Sequence, residues 1–224
     1  MPERMRVITI DGPAGAGKST VAREIAQRLG IFFLDTGAMY RALTLKVLRQ
    51  GVDLEDEGQL VEAVQETKID FGRYPDGKVK VLLDAQDVTE EIRTMEVTNK
   101  TFYIARAPRV RAIVVKWQRD IGSKRSVVAE GRDVGTVVFP KATHKFYLDA
   151  DPEERSRRRI KELREKGQAV DAGNLKKELE ERDHRDLTRR VGPLKRAEDA
   201  VVIDSTHLCA DEVVEAMLRH IKYG

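Results

Sequence analysis

The residues best suited to chemistry lie in a glycine-rich stretch near the N-terminus. Gly12-Pro-Ala-Gly-Ala-Gly-Lys-Ser19 fits the pattern G-x-x-x-x-G-K-[ST], between an apolar run and a helical pattern. In such a loop, successive backbone N–H groups surround anionic oxygens, and the helix N-terminus adds a favourable dipole. Lys18 would reach the β- and γ-phosphates of a nucleoside triphosphate, and the Ser19 hydroxyl would be a ligand of Mg²⁺. The residues predicted to form this cradle are Gly12, Pro13, Ala14, Gly15, Ala16, Gly17, Lys18, Ser19 and Thr20.

Several classes of protein share such a loop, and the rest of the chain favours one of them. GTPases select guanine with Asn-Lys-x-Asp, but Asn99-Lys100-Thr101 is followed here by Phe102. Motor ATPases are usually longer than this chain of 224 residues. The clustered arginines instead suit a kinase, which must bring two anions together. Another small-molecule kinase and a nucleic-acid-binding ATPase stay as alternatives, although an aromatic content of 5% argues against base-stacking surfaces.

A second anion could be held by the segment Asp35 to Arg41. Thr36 is predicted to cap a helix, and Tyr40 and Arg41 follow one turn later on the side of the same cleft. A helix N-terminus with an arginine is a good monophosphate site. Taken alone, an arginine such as Arg41 is more often an exposed surface residue.

The segment Glu130 to Gly135 directly follows an apolar strand pattern. Ligands of open parallel sheets bind just beyond the carboxyl ends of strands, where this segment would lie. Glu130 could organise Mg²⁺-bound water, and Arg132 and Asp133 could reach the acceptor. The alternative interpretation is a glycine-stabilised turn with a local ion pair.

The late stretch ERDHRDLTRR, Glu181 to Arg190, alternates acids and bases. On a helix, Arg182, Asp186 and Arg189 share one face, which could grip a phosphate and ribose hydroxyls. Arg185 lies on a neighbouring row and is expected to be solvated. Most charge runs of this kind are solvated helix faces, so that alternative stays open.

The preceding basic helix could supply further positive charge. Arg155, Arg158 and Arg159 lie on one of its sides, and Arg158 and Arg159 are the predicted catalytic arginines of a lid. The stretch Gly167 to Gly173 is a plausible mobile joint between the two helices. If they close over the phosphates, they would exclude water from the reaction.

Composition limits the classes of protein that are possible. Formal charges nearly cancel, with 41 basic and 38 acidic residues, so the net charge does not argue for nucleic acid. Cys209 has no partner for a disulfide, which favours a reducing compartment. The apolar runs are shorter than a signal peptide or membrane span requires. We therefore expect a cytoplasmic protein without membrane contact.

Periodicity predicts strands that alternate with helices, which indicates a parallel sheet covered on both faces. The predicted strands are 7–11, 31–34, 126–130, 144–149 and 200–204. The predicted helices are 18–29, 36–48, one opened by Pro108, 152–166, 174–190 and 211–222. Between Asp53 and Thr101, a Tyr74–Gly77 turn and period-two alternation predict a small antiparallel insert.

Together these motifs resemble those of the bacterial cytidylate kinases. IDGPAGAGKST, LDTGAMYR, EIRTMEV, APRVR, EGRDVGTVVFP and ERDHRDLTRR occur in that order over nearly the whole chain. The resemblance implies an ATP-dependent transfer to CMP or dCMP, with Mg²⁺. It implies an α/β P-loop three-layer sandwich with a parallel sheet, a β insert in the region that binds the nucleoside monophosphate (NMP), and a helical lid. The partners expected are these nucleotides alone, without nucleic acid, and the chain is expected to be a monomer.

The resemblance also implies roles for particular residues. Arg111 and Asp133 match residues that read the cytosine edge, with Arg189 nearby, and Arg132 matches a phosphate contact. Phe102 stands where relatives place a serine near the base, so discrimination would use the adjacent Thr101 or be looser. The acceptor-site residues implied are Thr36, Tyr40, Arg41, Thr101, Arg111, Arg132, Asp133, Arg182, Asp186 and Arg189.

We expect one P-loop kinase domain with three parts. The core is predicted to comprise 1–35, 104–150 and 191–224, the NMP-binding region with its β insert 36–103, and the lid with its flanking helices 151–190.

Overall fold

A computed structural model of the chain describes residues 5–74, 79–165, 167 and 170–223. These residues form two compact units. The first unit comprises the chain up to Leu34 and from Ile121 onward, and the second unit comprises Asp35–Asp120. Residues 75–77 of the predicted Tyr74–Gly77 turn and residues 168–169 of the predicted joint lie outside the described residues.

Strands and helices alternate along most of the chain, as predicted. The strands are β1 (Val7–Asp11), β2 (Phe32–Asp35), β3 (Ile69–Arg73), β4 (Val79–Leu83), β5 (Gln86–Asp87), β6 (Val127–Gly131), β7 (His144–Asp149) and β8 (Val201–Asp204). The helices are α1 (Lys18–Leu29), α2 (Thr36–Arg49), α3 (Glu57–Gln65), α4 (Met95–Arg106), α5 (Pro108–Lys124), α6 (Pro152–Glu165), α7 (Ala172–Thr188) and α8 (Ala210–Tyr223).

The first unit contains a five-stranded sheet in the order β2-β6-β1-β7-β8. The middle strand β1 pairs in parallel with both β6 and β7, and Asp11 lies opposite Gly131 and Tyr147. Ile8 and Ile10 on one face of β1 and Thr9 on the other are all fully buried, as expected for a parallel strand covered on both faces. Because β1 and β6 end together, the loops that follow them begin at the same edge of the sheet.

The glycine-rich loop joins β1 to α1 along a path that requires glycine. Gly12 has φ 150°, and a Cβ there would lie 2.0 Å from the carbonyl oxygen of Leu148. Gly17 is left-handed with φ 90° and directly precedes Lys18, the first residue of α1. Backbone conformation and close packing therefore both explain the glycine spacing.

Helices α6 and α7 pack together in the first unit through a small apolar cluster. Leu163 of α6 and Leu175 and Leu179 of α7 are buried in it, and Ala14 of the glycine-rich loop belongs to the same cluster. The two charged helices are thereby held against the loop by their apolar stripes.

The second unit contains the antiparallel sheet β3-β4-β5 and the helices around it. Its core joins α2 to the sheet and α4 through Ala38, Ala42, Leu45, Val81, Leu83, Val88, Ile92 and Val97. The predicted antiparallel insert is confirmed, but helices α3 and α4 were not predicted. Their buried residues do recur at helical spacing, as Leu60 and Val64 do in α3 and Val97 and Ile104 in α4.

One prediction about this unit is wrong. Helix α2 is capped by Asp35 and not by Thr36, because the Asp35 carboxylate accepts a hydrogen bond from the Ala38 amide at 2.7 Å. Thr36 is the first helical residue. An aspartate satisfies the free amides of a helix N-terminus at least as well as threonine does.

In the part of the chain that the structure describes, no helix combines the length and the apolar character that a membrane span needs.

Candidate active site

Lys18 lies buried inside the glycine-rich loop. Its ammonium donates a hydrogen bond to the carbonyl of Pro13 at 2.6 Å, which draws the side chain back along the loop. Burial and the positive charge of Arg132 lower the pKa of Lys18. A phosphate anion in the loop would favour the ammonium form, so the buried lysine is well placed to bind one.

Ser19 and Glu130 meet at the start of α1 and the end of β6. The Ser19 hydroxyl donates to the Glu130 carboxylate at 2.7 Å, and Glu130 is itself buried. Hydroxyl and carboxylate oxygens are the ligands that Mg²⁺ accepts, usually with substrate phosphates and water completing its shell. The described residues contain no group of three or more His, Cys, Asp or Glu side chains that could bind a metal by themselves.

The carboxylate of Asp11 holds the loop that follows β6. It accepts hydrogen bonds from the amides of Val134 at 2.8 Å and Gly135 at 2.7 Å. Burial raises the pKa of Asp11 to about 6, against the opposing effect of these two amides. A Cβ at Gly135 would lie 2.8 Å from the Thr9 hydroxyl, so only glycine fits here without a shift. Arg132 and Asp133 are thus carried on a loop whose backbone is fixed to β1.

Four side chains of alternating charge connect this loop to α7. Arg132 donates to Asp186 at 2.7 Å, and Arg189 donates to Asp133 at 3.2 Å. Arg189 also lies 3.8 Å from Asp186. Burial alone would raise the pKa of Asp186, but the charges of Arg132, Arg182 and Arg189 outweigh it and lower that pKa. The structure therefore brings together Arg132, Asp133, Asp186 and Arg189. The prediction that Arg189 lies on the same helical face as Asp186 is wrong, because α7 ends at Thr188 and Arg189 is an extended C-cap residue with ψ 138°.

The arginines of α6 have different partners. Arg155 donates to the carbonyl of Ala14 at 3.0 Å and forms an ion pair with Asp183. Arg158 donates to the Ser205 hydroxyl at 3.0 Å and to Glu154 at 2.9 Å.

Arg159 pairs with Glu162, three residues further along α6, at 2.7 Å. Arg155 is thus a basic residue of α6 that contacts the glycine-rich loop. The sequence places Arg155 among the lid arginines, but no pattern pointed to Asp183 as its partner. A partner 28 residues away gives no periodic signal.

The second unit holds its own cluster of arginines. Arg41 donates to both oxygens of the Asp35 carboxylate, at 3.1 and 3.3 Å, and Arg93 approaches the same carboxylate at 3.8 Å. Asp35 thus fixes the Arg41 guanidinium beside the N-terminus of α2, where Thr36 lies buried. Arg93 was not predicted to belong to this cluster.

Arg111 is buried nearby in the second unit. It donates to the carbonyl of Ala105 at 3.2 Å, and its guanidinium carbon lies 5.4 Å from the centre of the Tyr40 ring. Stacking on an aromatic ring and a carbonyl contact restrict a guanidinium strongly. Tyr40 and Arg111 are therefore brought together, as the predicted acceptor site requires.

Thr101 and Phe102 have different environments on α4. The Thr101 hydroxyl lies 3.3 Å from that of Thr44 on α2, within the second unit. Phe102 packs instead near the guanidinium of Arg106, which lies 5.3 Å from its ring centre. Of the two residues, Thr101 is the one that faces α2, the helix that carries Tyr40 and Arg41.

A parallel α/β sheet, a glycine-rich loop with a buried lysine, and arginines fixed by acids define a nucleotide-binding P-loop kinase. The family model described as "Cytidylate kinase" matches residues 8–223. The chain belongs to the cytidylate kinase family.

Curated relatives agree with this assignment over almost their full length. The chain is 50% identical over 219 residues to the cytidylate kinase of Desulforamulus reducens, with 98% of each chain covered. It is 48% identical to that of Caldanaerobacter subterraneus subsp. tengcongensis, with 96% of this chain and 94% of the relative covered. It is 47% identical to that of Vibrio cholerae, with 99% and 98% covered.

A solved structure supports the fold alone. An uncharacterized protein from Eubacterium ventriosum aligns with a TM-score of 0.54 over 99% of this chain and 100% of that chain, at 14% identity.

Proposed function

We propose that this protein transfers the γ-phosphoryl group of ATP to CMP or dCMP, with Mg²⁺, to give ADP and CDP or dCDP. The proposal rests on membership of the cytidylate kinase family over residues 8–223. The observation in the structure that carries it is the buried ammonium of Lys18 in the glycine-rich loop. Such an arrangement would suit a polyphosphate, and the arginines beside Asp186 in the first unit and beside Asp35 in the second unit would each suit an anion.

No covalent enzyme intermediate is needed in this reaction. A phosphate oxygen of CMP is already a competent nucleophile, so positioning and neutralisation of charge supply the catalysis. In the glycine-rich loop 12–20, the backbone amides that follow Ala14, together with Lys18, would bind the β- and γ-phosphates. Ser19 and Glu130 would hold Mg²⁺, directly or through water, and the cation would neutralise charge on the same phosphate oxygens.

The residues proposed to bind the acceptor are those that the family resemblance implies. Arg41 and Arg132 would bind its phosphate, and Arg182 and Asp186 its ribose and phosphate. The remaining predicted residues, Thr36, Tyr40, Thr101, Arg111, Asp133 and Arg189, would surround the nucleoside. Support comes from the contacts that restrict these groups before the ligand binds: Arg41 on Asp35, Arg111 on Tyr40, and Arg132 on Asp186. Restricted guanidinium groups lose less entropy when they bind phosphate.

The helices within residues 151–190 would act as the lid, and residues 36–103 as the NMP-binding region. Arg158 and Arg159 would reach the transferred group by exchanging their present partners, Ser205 and Glu162, for phosphate oxygens. Because both sets of proposed ligands come from one chain, we propose that the protein works as a monomer with its nucleotides as partners.

A coupled assay of ADP release tests the proposed reaction. With MgATP, the wild type should phosphorylate CMP and dCMP much faster than UMP, AMP or dTMP. Preference for AMP or dTMP, or for an acceptor that is not a nucleotide, would contradict the proposal. Stimulation of ATP hydrolysis by polynucleotide, with steep salt dependence, would instead favour the nucleic-acid-dependent ATPase.

The role of Lys18 has its own test. Lys18→Ala should lower kcat by roughly 10³-fold, because the transition-state charge loses a buried ammonium. Lys116→Ala, on the exposed face of α5, is the matched control and should leave kcat unchanged. A kcat for Lys18→Ala within about tenfold of wild type, or about 1.4 kcal/mol of barrier, would contradict this role.

A further inference from the structure

The backbone of Ala14 is engaged on both sides by charged side chains of α6 and α7. Its amide donates to one oxygen of the Asp183 carboxylate at 3.2 Å, and its carbonyl accepts from Arg155 at 3.0 Å. Arg155 and Asp183 also form an ion pair with each other. One residue of the glycine-rich loop is thus held between an acid and a base that are 28 residues apart in the sequence.

Three further features of the packing restrict this part of the loop. The Ala14 side chain lies in the apolar cluster with Leu163, Leu175 and Leu179. Arg155 is fixed in turn by its hydrogen bond to the Ala150 carbonyl at 3.1 Å. At Gly15, a Cβ would lie 3.0 to 3.1 Å from backbone and Cβ atoms of Arg155, so the loop passes directly against α6.

We propose that Arg155 and Asp183 are positioning residues that clamp the Ala14 peptide and so set the shape of the triphosphate cradle. This inference rests on the proposed function, because it assigns these two residues to the ATP side of the same reaction. Pro13 has no amide hydrogen, and the Ala14 amide is committed to Asp183. The phosphates are therefore left to the amides that follow Ala14, whose orientation depends on where the clamp holds the loop.

The two members of the clamp have opposite electrostatic effects on a bound polyanion. Asp183 places a negative charge beside the cradle, and it also contributes to the electrostatic environment of Arg132. Arg155 cancels that charge while it holds the Ala14 carbonyl. Removing Arg155 alone would loosen the loop and leave an uncompensated carboxylate near the phosphates. Removing Asp183 alone would loosen the loop but free a guanidinium to attract them.

The proposal therefore predicts an order of ATP affinities among three variants. Arg155→Ala should bind MgATP most weakly, by roughly 50-fold relative to wild type, because both effects act in the same direction. Arg155→Ala/Asp183→Ala should lose about tenfold, since only the positioning is lost. Asp183→Ala should lose less than the double variant. The affinity for CMP should stay within about twofold in all three, because the clamp lies on the ATP side.

Titration calorimetry with the magnesium complex of a non-hydrolysable ATP analogue measures this order on the intact chain. Arg157→Ala is the matched control, since Arg157 is a highly exposed residue of the same helix that pairs with Glu154. If Arg155→Ala does not fold, Arg155→Gln keeps most of the side-chain volume and replaces it. Melting temperatures report any general loss of stability separately from binding.

The outcomes separate this inference from the proposed function. Arg155→Ala binding no more weakly than the double variant would overturn the clamp, and so would affinities all within twofold of wild type. A lower melting temperature with unchanged ATP binding would mean a purely structural role and would also overturn it. If the ATP affinities follow the predicted order but the wild type does not phosphorylate CMP, the clamp is upheld and the proposal that CMP is the acceptor is refuted.

Discussion

Helices α6 and α7 are both dense in arginine and acid, but the outer face of α6 and the inner row of α7 that carries Asp183 and Asp186 pair their charges in different ways. On α6, Arg157 and Arg159 pair with Glu154 and Glu162, each three residues away on the same helix. On α7, Asp183 and Asp186 pair with Arg155 and Arg132, which come from other elements. Exposed pairs within a helix contribute only a few tenths of a kcal/mol, whereas buried pairs between elements fix their position.

The difference between pairs within a helix and pairs between elements distinguishes a solvated helix face from a helix face that lines a site. The stretch Glu181 to Arg190 contains both kinds of pair. Arg185 pairs with Glu181 in solvent at 2.9 Å, as its position on a separate row predicted. Asp186, on the other row, pairs with Arg132 from a loop 54 residues away. A charged residue is thus better judged by the distance of its partner along the chain than by the density of charge around it.

The largest effect on stability is expected from Asp11, a buried acid whose partners are distant in the sequence. Its pKa is raised by burial to about 6 from an ordinary 3.8, so the folded protein holds this proton more tightly than the unfolded chain. The contribution to stability is complete below pH 3.8 and is lost as pH rises through about 6. The free energy of unfolding should therefore fall by roughly 3 kcal/mol from Asp11 alone over this window.

Urea denaturation of wild type and Asp11→Asn between pH 4 and 7 measures this contribution. The asparagine carries no charge in this range, and only its oxygen can accept from the amides of Val134 and Gly135. Relative to Asp11→Asn, the wild type should lose roughly 3 kcal/mol of unfolding free energy as pH rises through this range. Parallel profiles would contradict the burial assigned to Asp11.

The next largest effect is expected on catalysis at Asp186. Asp186→Ala should lower kcat/KM for CMP by about 100-fold, or about 2.7 kcal/mol, because Arg132 and Arg189 lose the acid that positions them. The KM for ATP should change by less than about threefold. The assay is steady-state ADP release with each nucleotide varied in turn. Equal losses of kcat/KM for CMP and for ATP would mean that Asp186 does not act at the acceptor site. The inner row of α7 would then differ less from the outer face of α6.

Sequence patterns predicted the sheet and its helices well because buried strands and amphipathic helices have clear periods. The parallel strands, the start of α1 at Lys18 and the antiparallel insert are confirmed. The cap of α2 was wrong because Asp35 and Thr36 are both good cap residues, and only backbone geometry selects between them. The Asp183 partner of Arg155 was missed because contacts between elements depend on packing, which has no period in the sequence.

A smaller effect on kcat is expected at Arg159 of α6. Arg159 is a proposed catalytic residue although it now pairs with Glu162 on its own helix. If Arg159 exchanges that partner for the transferred phosphate, Arg159→Ala should lower kcat about tenfold with little change in either KM. Arg157→Ala removes a similar pair from the exposed face and is the control. If kcat for Arg159→Ala equals that of the control, Arg159 is a solvated residue of α6 without a catalytic role.

The smallest effect is expected where α7 itself is solvated, at Glu181 and Arg185. Both side chains are largely exposed, so their attraction is weakened by water and salt. Arg185→Ala should change the free energy of unfolding by less than about 0.5 kcal/mol and leave kcat and both KM values unchanged. Chemical denaturation and the ADP-release assay measure these quantities on the same samples. A tenfold loss of activity at Arg185 would mean that the solvent-facing row of α7 also takes part in the reaction. The distance to a partner along the chain would then no longer separate the two kinds of arginine.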